Sequence, residues 1–378
     1  MVDPVIHGMS PVTTLFLVLV GIYLLECVIL VPDEALVLVE AGVGRWKVVR
    51  ASIRLGALRK RAVLAGVLSP ARIAVMLPPW PLAMSPEGIA WLDVDGVLCW
   101  RPYSALATLE VEGSVVRLTD GAVLLAHTVP GARHLAAVLT SLYDAREDAR
   151  ASLIEAELSR AMSLEVPRAR LTEYHAASAR LRVVSTVLFA HLFIGWPAVI
   201  AWSGVTKLWP YVVAELVVLV ALTTWQFVRA HRALFADVPL DVAALVGIIL
   251  SPAAALRATT LLARGLFATS HPVAVAGALC SGEDFTALTS RLTRDLEFRT
   301  AHGPSSAEAR AVEAWFTARH RAALASLASR VLDGRPFPRA PERESDRSRA
   351  YCPRCWMQYS TTDSTCIDCG GLPLRSFS

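Results

Sequence analysis

The chain reads as long apolar runs set between stretches where apolar and polar residues alternate over short distances. The two longest runs are Leu181–Trp202 and Leu208–Val228, joined by a short turn. Each is close to the roughly 20 residues that a helix needs to cross the hydrocarbon core of a bilayer. Backbone amides find no water there, so a helix is the solution open to a single segment. Trp202 and Trp209 flank the turn, at the level where amphipathic rings favour the headgroups. The pattern predicts a transmembrane hairpin over 181–229. A third run, Val12–Val31, predicts an N-terminal transmembrane anchor over 1–31. A cleaved signal peptide would want a basic leading region, a shorter apolar core and a small-residue cleavage site, and none is evident.

The flanking charges give the sidedness. Arg168, Arg170, Arg180 and Arg182 precede the hairpin, Arg229, His231 and Arg232 follow it, and its turn carries only Lys207. By the positive-inside rule both outer ends are cytoplasmic. Val12–Val31 has no Lys or Arg before it and a basic stretch from Arg45 to Arg61 after it. That places the N-terminus outside and the following segment in the cytoplasm. Arg54–Arg61 can attract anionic headgroups, although the positive-inside bias alone accounts for it. A fourth apolar segment, Val238–Leu256, is shorter, contains Asp241 and Pro252, and has basic flanks on both sides. It is expected to lie on or re-enter the membrane. A full crossing would carry everything after it to the other side.

Between the first run and the hairpin the spacing changes. Ala35–Val39, Trp46–Val49 and Ala62–Ala65 are short and rich in β-branched residues, as strands are. From Met84 onward come Ser85–Trp91, Val97–Trp100, Thr108–Glu112, Val115–Leu118 and Ala122–Ala126, with turns at Asp95-Gly96, Gly113-Ser114 and Asp120-Gly121. The Asp-Gly pair predicts a type I′ hairpin turn. A helix over Ala132–Leu142 follows, with Leu135, Val138, Leu139 and Leu142 on one face. Residues 32–145 are thus expected to form a cytoplasmic β-rich domain. Met84–Ala145 resembles the PH-like domains of bacterial membrane proteins in three respects. These are the Ser85-Pro-Glu-Gly-Ile strand start, the Trp100-Arg-Pro-Tyr103 strand break, and a meander closed by a helix. The resemblance implies binding of lipid headgroups or protein segments rather than catalysis, but the meander has no Lys/Arg cluster for a headgroup.

Residues 146–180 read as a charged connecting helix, with Glu147 and Arg150 able to pair across one turn and Pro167 ending it. Residues 230–333 read as a membrane-proximal helical region. There Leu261–Cys280 packs with the preceding segment or lies on the membrane. One helix is expected over Asp284–Leu296, and another starts at Ser305/Ser306 and runs toward Leu332. Polar, Pro- and Arg-rich 334–349 reads as a linker.

Composition narrows the class. Of 378 residues 54% are hydrophobic and the net charge is +4. The first figure fits a few spans plus substantial soluble parts, and the second gives a nucleic-acid role no support. Lys47, Lys60 and Lys207 are the only lysines. An Arg- and Ala-rich composition of this kind suggests a bacterium, and with it the inner membrane. Cys27, Cys99 and Cys280 are scattered and read as small apolar residues.

The tail, 350–378, carries the strongest chemical signal. Cys352 and Cys355 form one C-x-x-C, and Cys366 and Cys369 form another. Four thiolates at this spacing suit a tetrahedral zinc ion, with Pro353 and Gly370 in the tight turns. The segment resembles a short zinc ribbon, which implies structural Zn²⁺ with no open coordination position. Disulfides are disfavoured in the cytoplasm, and a redox C-x-x-C would sit at a helix start in a βαβ context. A rubredoxin-like iron site is the remaining alternative. A module this small cannot build a core, so metal binding would supply its folding energy.

The expected fold is therefore a mixed α+β membrane protein with three transmembrane helices, a β-rich PH-like domain, membrane-proximal helices and a C-terminal zinc ribbon. Its expected role is docking or assembly at the bilayer, with protein partners held by the ribbon or the β-rich domain. No hydrolase, P-loop or dinucleotide motif is present. Ionisable residues inside spans are functional suspects, so the alternative is a membrane enzyme, transporter or channel subunit using Glu26, His191, Glu215 or Asp241. Glu26 and His191 are expected in the cytoplasmic half and able to meet, with Glu215 toward the outside.

Overall fold

In a computed structural model of the chain, the described residues are 18, 28–31, 36–42, 45–49, 53–54, 61–64, 74–77 and 82–377, apart from 93–96, 127, 197, 200–208, 281, 298–305, 333–339 and 370. The chain mixes helices with small antiparallel sheets. β1 (Val28–Val31) pairs with β5 (Arg61–Leu64), which also pairs with β4 (Ile53–Arg54). β2 (Leu36–Gly42) lies between β3 (Arg45–Val49) and β6 (Ala74–Leu77). The expected strands at 35–39, 46–49 and 62–65 are thus found within a residue or two. The expected first span is not confirmed. Val28–Val31, assigned to its end, is strand, because Val-Ile-Leu-Val is as suited to a sheet as to a buried helix. The remainder of Val12–Val31 lies outside the described residues except for Val18.

The β-rich body builds two further meanders. β7 (Ala83–Met84), β8 (Gly88–Leu92) and β9 (Leu98–Pro102) form one sheet. β10 (Leu109–Glu112), β11 (Val115–Leu118) and β12 (Val123–Leu125) form the other. The Gly113-Ser114 turn has Gly113 at φ 57°, as a type II′ turn requires at its first central residue. The Asp120-Gly121 turn is not type I′. Only Gly121 has positive φ, and its N–H donates to Leu118 O while Leu118 N–H donates to Ala122 O. That is a type I turn followed by a glycine bulge.

Thr128 caps the closing helix α1 (Val129–Asp144) by accepting from Gly131 N–H, and Pro130 fits its first turn. Leu135, Leu139 and Leu142 of α1 pack on Ile89, Tyr103, Leu106, Val116 and Leu124. α2 (Glu147–Ala161) is more than a solvated connector. Ile154 and Leu158 enter the same core. Arg150, expected to pair with Glu147, donates to Leu142 O and Pro86 O and lies 4.6 Å over the Tyr103 ring.

Pro167 does not end a helix. It lies in the first turn of α3 (Glu165–Ala190), where its missing N–H costs nothing. α3 runs into a π turn at His191–Gly195 and packs against α4 (Trp209–Leu234). Among the described residues two helices, Glu165–Gly195 and Val213–Leu234, are long and apolar enough to cross a membrane. The segment Val238–Leu256 is two short helices, α5 (Val242–Leu250) and α6 (Pro252–Leu256), broken at Ser251. Neither has the length of a span.

α7 (Ala258–Ala263) is tied to α3 by Tyr174 Oη donating to Thr259 O at 2.9 Å. α8 (Pro272–Leu279) is buried over Pro272–Ala276. Its Val273, Ala274 and Ala276 join the core of the β-rich body, while Val275 joins the core at the base of the hairpin. One helix thus fastens the two halves together, in place of the membrane-surface position considered above. α9 (Gly282–Glu297) and α10 (Ala307–Val331) complete the body, with Ser306 capping α10 by accepting from Ala309 N–H.

Candidate metal centre

The tail folds as two hairpins. β13 (Ala350–Tyr351) pairs with β14 (Gln358–Tyr359) and β17 (Arg375–Ser376), and β15 (Thr365–Cys366) pairs with β16 (Leu372–Pro373). Each hairpin carries one C-x-x-C. Packed side by side, the two hairpins bring the pairs together. The Sγ atoms of Cys352, Cys355, Cys366 and Cys369 all lie within 4.8 Å of one another, and all four are free thiols. Cys355 Sγ and Cys366 Sγ are 3.6 Å apart. A tetrahedral ion with metal–sulfur bonds of about 2.3 Å has an edge of about 3.8 Å, so the cluster can hold a metal ion. Cys352 and Cys366 are buried, Cys369 nearly so, and Cys355 is at the surface.

Hydrogen bonds hold the sulfurs in place. Cys352 N–H donates to Met357 O and Trp356 N–H to Cys352 O, both at 2.9 Å, closing the first knuckle. Gly371 N–H donates to Cys366 O at 2.9 Å in the second. Tyr359 Oη donates to Cys366 Sγ at 3.2 Å. Burial pushes the Cys355 thiol up to about 11 and raises Cys369 as well. Cys366 is held below the ordinary thiol value. Burial opposes this, but the donated Tyr359 hydroxyl and the neighbouring thiols outweigh it. Thiols so close ionise together only around a cation, whose charge reverses that balance. The apolar support is slight, consisting of Tyr359, Leu372 and Leu374, which fits a fold whose stability comes from metal.

Two features here escaped sequence reasoning. Gly370, expected in a turn, lies outside the described residues. The strained position is Trp356, the only described non-glycine with positive φ, at 64°. The stretch assigned to a linker is also in part structured. From Ala340 on it packs against the tail through Glu344 N–H to Gln358 Oε1, Gln358 Nε2 to Glu342 O and Arg349 N–H to Tyr359 O.

The intramembrane suspects fall differently from expectation. His191 Nε2 lies 2.7 Å from Glu215 Oε1, with the side chains 35% and 47% exposed. The two share one level of the hairpin rather than opposite halves, and the pair sits where α3 becomes a π turn. Glu26 lies outside the described residues. Asp241 is the N-cap of α5, accepting from Ala244 N–H at 3.1 Å.

Two polar clusters outside the long apolar helices join distant elements. His134 Nε2 lies 2.8 Å from Glu157 Oε1, and Arg160 donates to both Glu157 oxygens and, from Nη2, to Thr269 O. Burial works against the Glu157 carboxylate, but hydrogen bonds from Arg160 and His134 hold its pKa at about 2. His271 and His320, 3% and 6% exposed, meet Nε2 to Nε2 at 2.8 Å. His271 Nδ1 accepts from Val273 N–H, so the neutral ring carries its proton on Nε2 and donates it to His320. Burial, reinforced by His320, holds His271 well below the ordinary imidazole range.

No protein-family model, curated protein or solved structure matches this chain.

Proposed function

We propose that this chain is a membrane-anchored docking protein of a bacterial inner membrane. In this reading α3 and α4 form a transmembrane hairpin whose two outer ends lie in the cytoplasm. The β-rich body and a structural zinc ribbon project from that side and hold protein partners. The observation that carries it is the bare outer surface of the hairpin. Only 22% and 17% of the most apolar stretches of the two helices are buried within the protein, whereas the core helix of a soluble protein would be mostly covered. Val183, Ile194, Val217, Val218 and Trp225 all face outward, as lipid-facing side chains would. Arg229, Arg232, Arg180 and Arg182 at the base fit a cytoplasmic position.

The two meanders closed by α1 favour the PH-like reading of 84–145, and with it a partner-binding rather than catalytic role. The four clustered thiols support a structural metal, zinc in this reading, since four thiolates leave no open position for a reacting ligand. The N-terminal run of Val12–Val31 would add a third crossing, with the N-terminus outside, if the segment before Cys27 spans. The docking reading is tested by cell fractionation with alkaline extraction, followed by loss of 350–378. Expected is a chain that resists extraction and loses partner capture without its tail. Extraction into the soluble fraction would overturn it.

A second reading rests on the ion pair. A His–Glu pair at mid-hairpin on a π turn is the arrangement a proton or ion path would use. His191→Leu that leaves partner capture intact but abolishes function in cells would favour a transport or enzymatic role.

A further inference from the structure

Among the described residues, an arginine of the body reaches the tail. Arg294, in the last turns of α9, donates from Nε to Arg354 O at 3.0 Å, and its Cζ lies 3.5 Å over the Trp356 ring. Arg354 lies between the two cysteines of the first knuckle, and Trp356 directly follows the second. Trp356 is also the residue held at φ 64°, a conformation that a tryptophan adopts only when its surroundings enforce it. The same residue donates its N–H to Cys352 O and so closes the turn that aims Cys352 and Cys355 inward. Arg294 therefore touches the ligand loop at both its backbone and its side chain.

We propose that Arg294 is an outer-shell positioning residue of the Cys352/Cys355/Cys366/Cys369 site, and that through it metal retention is coupled to docking of the tail on α9. The inference rests on the metal-site reading above. Two effects act together. Four thiolates around a divalent cation leave a net charge of two minus, and a guanidinium stacked on the knuckle offsets it. The stacked ring and the held carbonyl also fix the turn in its ligating shape, which is how partners beyond the ligands tune metal sites. Coupling between two equilibria is reciprocal. Docking slows metal loss, and metal loading strengthens docking by the same factor.

The test uses the full chain in detergent micelles, loaded with zinc. The measurements are the rate of zinc transfer to a chromophoric chelator and amide exchange across 350–377 and α9. For Arg294→Ala the expected result is zinc loss about tenfold faster, with exchange rising in 352–357 by a similar factor. Arg294→Lys should restore little, because an ammonium lacks the planar fork that stacks and bonds at once. Trp356→Leu, which keeps the sequence of α9 intact, should accelerate loss likewise, and it covers the case of a misfolded arginine variant. Removing zinc from the wild type should raise exchange around Arg294. Zinc transfer at the wild-type rate in both Arg294→Ala and Trp356→Leu would overturn the coupling and leave the metal site standing. A wild-type chain that binds no metal would overturn both.

Discussion

Glu157 is the point at which the β-rich body, α2 and the loop before α8 are tied together, and its replacement has a calculable effect. Its side chain is 13% exposed and receives hydrogen bonds from Arg160 and His134, while Arg160 reaches on to Thr269 O. The carboxyl is held at about 2 against an ordinary value of 4.5. At roughly 1.4 kcal/mol per tenfold change, that difference corresponds to about 3 kcal/mol of stability at neutral pH. The folded-state value is depressed, so the contribution is complete above 4.5 and is lost as the pH falls from there toward 2. Glu157→Gln should remove most of it, because the amide leaves Arg160 and His134 without their anionic partner. The assay is urea unfolding of the full chain in mild detergent, followed by tryptophan fluorescence at pH 7 and again at pH 3. Expected is a loss of about 2–3 kcal/mol at pH 7, falling to roughly half of that at pH 3. A variant within about 0.5 kcal/mol of wild type at pH 7, the range of ordinary surface substitutions, would refute the argument.

Further outcomes follow from the same structure. His271 is neutral in the core and ionises more readily when unfolded, so its contribution is complete above about 6.5 and diminishes on acidification below that. His271→Gln should flatten the wild-type decline between pH 7 and pH 5, as read by unfolding midpoints. Gly88→Ala would place a Cβ 2.3 Å from Arg101 O on paired strands that cannot separate freely. It should cost about 1–3 kcal/mol by the same unfolding assay, with the tail's metal content unchanged. Cys366→Ser removes the ligand supported by Tyr359 and should leave the chain metal-free by elemental analysis. Amide protection should be lost across 350–377 but kept in α8.

What the sequence revealed and what it hid divide along physical lines. The two long apolar helices were legible because contiguous apolar length, which a crossing would demand, is a local property. The four cysteines were legible because ligand spacing is local too. At the end of Val12–Val31 the sequence left two solutions open, because an apolar run rich in Val and Ile satisfies either a buried helix or a strand, and Val28–Val31 pairs with Arg61–Leu64 as a strand. Asp120-Gly121 misled in detail only. Arg294 with Trp356, His271 with His320, and His134 with Glu157 were beyond sequence reading, because each joins residues far apart in the chain with no shared pattern. The pairing of His191 with Glu215 required knowing the offset of the two helices, which the masses of Val and Leu around them do not encode.

The most direct test of the account is to measure metal and sidedness on one preparation. Zinc per chain is determined beside the Cys352→Ser, Cys366→Ser double variant. The surface thiol Cys355 is labelled after chelation, from each side of sealed inverted and right-side-out vesicles. The account predicts one zinc per chain, lost in the double variant, and labelling only from the cytoplasmic face. Labelling only from the outer face, or a wild-type chain without metal, would contradict it.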